Sequence, residues 1–111
     1  MHIQEERKDG LLVLCLEGRL DANNSKIFEE KLLAVIEQGE TRFVIDLAKL
    51  DYVSSAGLRS FLLGSRRLTS AGGKIVLCSL QESVKEVFDI VGFYSIFPIS
   101  KSQDEALKNL R

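Results

Sequence analysis

The sequence predicts an α/β fold, with one mixed four- to five-stranded β-sheet, an N-terminal hairpin and about four α-helices. Three observations predict it. Apolar runs of strand length at residues 11–16, 43–45 and 74–78 alternate with segments whose apolar residues recur at helical spacing. Asp9-Gly10 separates the first two strand segments, and a tight type I′ hairpin turn needs positive φ at both central positions. Each later strand is separated from the next by a helix, which implies parallel neighbours joined by right-handed crossovers. A chain of 111 residues suits one domain, 1–111.

In order, residues 2–8 form a weakly patterned first strand. Residues 11–16 follow as a central strand covered on both faces. Gly18-Arg-Leu-Asp21 breaks that run. Asp21, Asn23 and Asn24 are candidate N-caps for a helix that continues to about Gln38. Its apolar stripe is Phe28, Leu32, Val35 and Ile36, and Gly39 ends it. A buried strand at 43–45 is closed by Asp46 and followed by a short apolar loop. The second helix starts near Ser54 or Ser55 and runs to about Ala71, with Leu58, Phe61, Leu62, Ser65 and Leu68 on one face. Residues 74–78 form the next buried strand. Ser79-Leu-Gln-Glu82 reads as a capping box before a third helix with Val84, Val87, Phe88 and Val91 on its stripe and Gly92 as its stop. Ile96 and Phe97 suggest a short edge strand, because Pro98 cannot donate to a ladder. Ser102-Gln-Asp-Glu105 is a second capping box, opening a short helix with Ala106, Leu107 and Leu110.

Composition narrows the function. The 45% apolar and 28% charged fractions are those of an ordinary globular protein. A net charge of −1 provides no global field for nucleic acid or an anionic membrane. No apolar run approaches the ~20 residues that span a bilayer, and the first residues carry no secretory h-region. A cytoplasmic protein is expected. Cys15 and Cys78 lie in strands without CxxC spacing, which suits reduced, buried thiols better than a disulfide or a zinc site. No amphipathic stripe is left over to demand a dimer, so a free monomer is expected.

Self-contained catalysis is not signalled. There is no GxGxxG and no GxxxxGK[ST], so neither a dinucleotide nor a P-loop phosphate cradle is expected. A Ser-His-Asp site needs an imidazole beside the serine, and the single histidine is at position 2. Asp21, Asp46 and Asp51 each have a structural role available at a helix start or strand end. The stretch around Ser54-Ser55 is better suited to receive chemistry. A helix N-terminus has unpaired N–H groups and a dipole that favour an anion. Phosphorylation would add a charge of about −1.5 to −2 there. Either serine could instead be a plain cap. Gly57, in the first turn, costs roughly 1 kcal/mol of helix propensity relative to Ala. It reflects either the close approach of a partner's backbone or close packing on the chain's own sheet.

Asp46-Leu-Ala-Lys-Leu-Asp-Tyr-Val-Ser-Ser-Ala-Gly-Leu58 resembles the signature of STAS domains of the bacterial anti-sigma factor antagonist (anti-anti-sigma factor) type. Gly18-Arg-Leu-Asp21 resembles that family's G-x-L-D, and Gly92-Phe-Tyr-Ser-Ile-Phe97 its G-[LF]-x-x-[IL]-F. The three segments follow in family order and spacing over nearly the whole chain. The resemblance implies a single STAS domain that binds an anti-sigma factor when unphosphorylated and so releases a sigma factor. It implies phosphorylation by that anti-sigma factor, a serine kinase, on the serine two residues before the signature glycine. That serine is Ser55. A PP2C-type phosphatase would reset the switch, and ATP and metal would belong to those partners, leaving this chain without a cofactor. Many members carry Asp where this chain has Ser54, so Ser54 is either a second acceptor or the cap. The implied partner surface is Asp21, Ala22, Asn23 and Asn24 with Ser54, Ser55, Ala56, Gly57, Leu58 and Arg59. The alternative within the family is a constitutive STAS subunit of a transporter or signalling complex. Outside it, the alternative is a small enzyme or nucleotide-binding protein.

Overall fold

The structure, a computed structural model, describes residues 1–111. The hairpin forms as its turn residues require. β1 (His2–Lys8) and β2 (Leu11–Leu20) pair antiparallel with Lys8 opposite Leu11, and Asp9 and Gly10 take φ of 54° and 79°. Then follow α1 (Ser25–Glu37), β3 (Arg42–Val53), α2 (Ser55–Ser70), β4 (Lys74–Cys78) and α3 (Glu82–Ile90). A 3-10 turn over Phe93–Ser95, β5 (Ile99–Ser100) and α4 (Gln103–Leu110) complete the chain. The sheet order is β1-β2-β3-β4-β5, and every pair after the first is parallel. This is the mixed sheet with four helices that the alternation of elements predicts.

Strand periodicity sorts the core into two layers. Leu12, Leu14, Phe43, Ile45, Ile75 and Leu77 face one way, against α1, α2 and α3. Val13, Val44, Val76 and Cys78 face the other, against Ala106, Leu107 and Leu110 of α4. Both faces of the central strands are therefore dry, which is why their sequences read as unbroken apolar runs. On the larger side Phe61 of α2 is the hub of an aromatic cluster. Its ring centroid lies 4.8 Å from Phe28, 5.5 Å from Phe88, 6.4 Å from Phe93 and 6.2 Å from Phe97, all in edge-on arrangements. Such pairs add about 0.5–1.5 kcal/mol each beyond area burial. They tie α2 to α1, to α3 and to the turn that follows it.

Several local expectations are corrected. β2 does not stop at Leu16. It continues to Leu20 through two register shifts against β3, with Gly18 at φ 101° absorbing the irregularity. β3 is not closed by Asp46 and followed by a loop. Asp46 Oδ1 accepts from Ala48 N–H at 2.9 Å, and the strand resumes to Val53 with Leu47, Leu50 and Val53 buried three residues apart. Ser79-Leu-Gln-Glu82 does not form a capping box. Ser79 takes a left-handed φ of 62° and its N–H pairs with Ser100 O, so α3 starts later, with Gln81 at its N-cap. The last strand is Ile99–Ser100, after Pro98, because Phe97 is drawn into the aromatic core. At α4 the Ser102 hydroxyl accepts from Glu105 N–H at 3.2 Å as expected, while Glu105 reaches back to Lys101 N–H at 3.3 Å.

The two thiols are reduced, Cys15 half-buried and Cys78 buried. Burial first, and then the Asp46 carboxylate, push Cys15 up to about 11 and Cys78 up to about 12. Because both ionise less readily folded than unfolded, the folded chain holds more protons than the unfolded one above the ordinary thiol value. Their stabilising contribution is complete below that value and is lost as the pH climbs through it towards about 11 for Cys15 and about 12 for Cys78. Alkylation with iodoacetamide at pH 8 is expected to leave Cys78 intact and to modify Cys15 far more slowly than free cysteine. Rapid modification of Cys78 in folded protein would contradict this placement.

Candidate functional site

The site is built where two chain segments leave the sheet side by side. After Leu20 the chain turns through residues 21–24 into α1, and after Val53 it turns at Ser54 into α2. Ser54 N–H donates to Leu20 O at 2.8 Å and joins the two exits. The first is internally braced. Asp21 Oδ1 accepts from the N–H groups of Asn23 and Asn24 at 2.9 and 3.2 Å. Asn24 Oδ1 accepts from Asp21 N–H at 2.8 Å, and its Nδ2 donates to Arg19 O at 2.8 Å. Asn24 occupies the N-cap of α1, but its side chain is spent on this loop and does not cap the helix. Ala22 and Asn23 are exposed, and Asp21 and Asn24 are half-buried.

The second exit separates the two serines. Ser54 is the N-cap, extended at φ −91° and ψ 173°, and its hydroxyl accepts from Gly57 N–H at 3.2 Å. Ser55 is the first helical residue and is exposed. Neither Asp nor Glu stands in the first turn of α2, so the positive end of the helix is not neutralised from within. Ala56 and Leu58 are half-buried and Arg59 is exposed. Gly57 is buried. A Cβ placed there would stand 2.8 Å from Leu20 Cγ, 2.9 Å from Leu20 Cδ2 and 3.0 Å from Val53 Cγ2. Of the two readings of this glycine, the structure shows close packing on the chain's own sheet. One turn on, the Ser60 hydroxyl lies 3.1 Å from Ser25 O and 3.2 Å from Ala56 O, and it donates across to the start of α1.

Neighbours outside the two segments complete the surface. Arg19 stacks on Tyr52 with its guanidinium carbon 4.1 Å from the ring centroid, beside the joined exits. On the other side, Ser55, Leu58, Arg59 and Leu62 share an open groove with Arg66, Val91 and Ile96. Val91 was expected inside the α3 stripe and is instead exposed at the helix end, one residue before the Gly92 stop. That nearness to the stop was the available signal. Ile96, read from sequence as part of a short edge strand, instead lies half-exposed in this groove.

A pattern defining the STAS domain family matches residues 2–106. The chain belongs to the STAS domain family. It is 44% identical over 96% of its length to a Bordetella bronchiseptica protein named as an anti-sigma factor antagonist, BtrV, of which it covers 91%. It is 26% identical to the anti-sigma F factor antagonist of Paenibacillus polymyxa, over 99% of this chain and 95% of that one. Its fold is that of the Bacillus anti-sigma factor antagonist SpoIIAA in the unphosphorylated form, with a TM-score of 0.85 at 24% identity over 99% and 96% of the two chains. SpoIIAA has also been solved phosphorylated, and that form superposes with a TM-score of 0.76. As a STAS domain the chain carries a hairpin-led mixed sheet, and no helix in it is long and apolar enough to cross a membrane.

Three substitutions separate the roles at the junction in urea unfolding. Ser54→Ala is expected to cost ~1 kcal/mol, the loss of one cap. Ser55→Ala should stay within ~0.5 kcal/mol of the parent, as for an exposed residue. Gly57→Ala should lose up to ~2 kcal/mol, because overpacking costs ~1–3 and helix propensity returns ~1. A Ser55→Ala loss exceeding that of Ser54→Ala would reverse the assignment of cap and free serine.

Proposed function

We propose that this chain is an anti-sigma factor antagonist acting in the bacterial cytoplasm and switched by phosphorylation of Ser55. Unphosphorylated, it binds an anti-sigma factor that is also its serine kinase and so frees a sigma factor. Phosphorylated, it lets go, and a PP2C-type phosphatase restores it. The observation that carries this reading is the division of labour between neighbouring serines. Ser54 is held in the cap by Gly57 N–H, while Ser55 is exposed one residue later on a helix start with no acidic neighbour in its turn. Ser54 is then the cap, and Ser55 the single acceptor. Family membership and the names of its relatives support the same reading.

The mechanism is local electrostatics. The first-turn N–H groups and the helix dipole accommodate a phosphate on Ser55, so the domain stays folded. A partner seated over residues 21–24 and 54–59 meets a dianion where it had met a hydroxyl, and the desolvation and repulsion expel it. The braced 21–24 loop and the capped helix need no rearrangement for this.

Incubation with the cognate anti-sigma factor kinase and ATP, followed by phosphosite mapping, is expected to place one phosphate on Ser55 and none on Ser54. Ser55→Ala should bind the anti-sigma factor whether or not ATP is present. Ser55→Asp should bind at least ~10-fold more weakly, a loss of ~1.4 kcal/mol, with an unchanged far-UV spectrum. Full-strength binding by Ser55→Asp together with no phosphate on Ser55 would sink the proposal. Co-purification with a transporter ATPase in place of an anti-sigma factor would favour the constitutive-subunit reading.

A further inference from the structure

An open groove of about 630 Å³ runs from Ser55 along α2 to the corner where α3 passes into the 3-10 turn. Leu58, Leu62, Leu63, Val91, Phe93 and Ile96 provide its apolar lining. Val91 and Ile96 leave 44% and 45% of their surface exposed, and the adjacent Ile90 leaves 83%. Apolar side chains gathered at one corner of a small domain mark an interaction site more often than isolated ones do. The charged groups in the lining are Arg59 and Arg66 from α2 and Glu29 from α1, an excess of one positive charge on a chain whose net charge is −1.

We propose that this groove seats an amphipathic helix of the anti-sigma factor, apolar along one side and carrying carboxylates along its edge. The inference rests on the function proposed above and extends its contact surface beyond the two loop exits to the α3 corner. No strand contributes to the lining, so a partner does not dock here by adding to the sheet, and an open groove floored by six apolar side chains suits the apolar face of a helix. A second copy of this chain is the poorer occupant. Its own groove carries the same excess of positive charge, Arg59 and Arg66 against Glu29, so two such surfaces are less complementary than one of them and an acidic partner. Carboxylates on a different protein complement them. The groove is also continuous with the switch, because Arg59 lies four residues after Ser55 on the same helix and lines the same groove. A phosphate on Ser55 attracts that guanidinium. Modification therefore adds negative charge at the end of the groove and occupies the cation that the partner's carboxylates require.

The test is calorimetric titration of the purified cognate anti-sigma factor into wild type, Ser55→Asp, Ile96→Asp, Val91→Asp and Arg59→Gln. Thermal melts confirm that each variant is folded, and sedimentation reports the state of the chain alone. Ile96→Asp or Val91→Asp, whichever remains folded, is expected to weaken binding at least ~10-fold. Arg59→Gln should weaken it and flatten its dependence on salt. If Ser55→Asp abolishes binding while the folded groove variants and Arg59→Gln bind as wild type, the groove inference is overturned and the phosphorylation switch stands. If the wild type does not bind, both are overturned. Dimerisation of the chain alone that Ile96→Asp abolishes would overturn the choice of occupant.

Discussion

The first turn of α2 rests directly on the end of β2, with Gly57 against Leu20 and Val53. A Cβ at position 57 would fall inside the contact distance of the buried Leu20, so that leucine or the helix would have to shift. Ser54 N–H donates to Leu20 O where the β2–β3 pairing ends, with Leu20 opposite Val53, and that pairing brings the two chain exits together. Gly57 lets the first turn of α2 sit on the end of this pair, at a cost of roughly 1 kcal/mol in helix propensity relative to Ala. The end of this strand pair, with α2 seated closely on it, places the cap at Ser54, the exposed Ser55 and the adjoining 21–24 loop.

The rest of the core holds α2 in that position. Phe61 anchors it from below through edge-on contacts with aromatic rings of α1, α3 and the 3-10 turn. The Ser60 hydroxyl fastens it sideways to the start of α1, and Gly64 lets Leu32 pack against its backbone, since a Cβ there would stand 2.8 Å from Leu32 Cδ1. The lower face of the sheet is closed separately by α4 against a layer of valines and Cys78. A junction braced on three sides suits a switch that works by charge, because nothing in it has to move for the surface to change.

The order of elements was legible because buried strands and amphipathic helices leave different periods in a sequence. The Asp9-Gly10 hairpin and the Ser102 cap were read from turn and cap chemistry that depends on neighbours alone. Where the reading failed, a distant residue decided. β3 runs past Asp46 because the carboxylate turns back onto Ala48 and the strand resumes out of phase. The expected box at Ser79 is lost because that residue's N–H is claimed by Ser100. Phe97 leaves the edge for the aromatic cluster and displaces the last strand by three residues. At the site, Ser54 and Ser55 were legible as a pair, but their roles depend on which hydroxyl Gly57 N–H meets, and the meaning of Gly57 depends on Leu20. Phase and propensity do not report such contacts.

A rigid junction that changes only its charge makes a definite claim about what phosphate does to the domain. Phosphoserine incorporated at position 55 allows ¹H–¹⁵N correlation spectra and amide exchange to be compared with the unmodified chain, without any partner. The account predicts shift changes confined to the start of α2 and the adjoining 21–24 loop, with exchange protection of β2, β3 and β4 unchanged. Shift changes reaching α4 and β5, or loss of protection in the central strands, would show that phosphate acts by refolding the domain and would contradict the account.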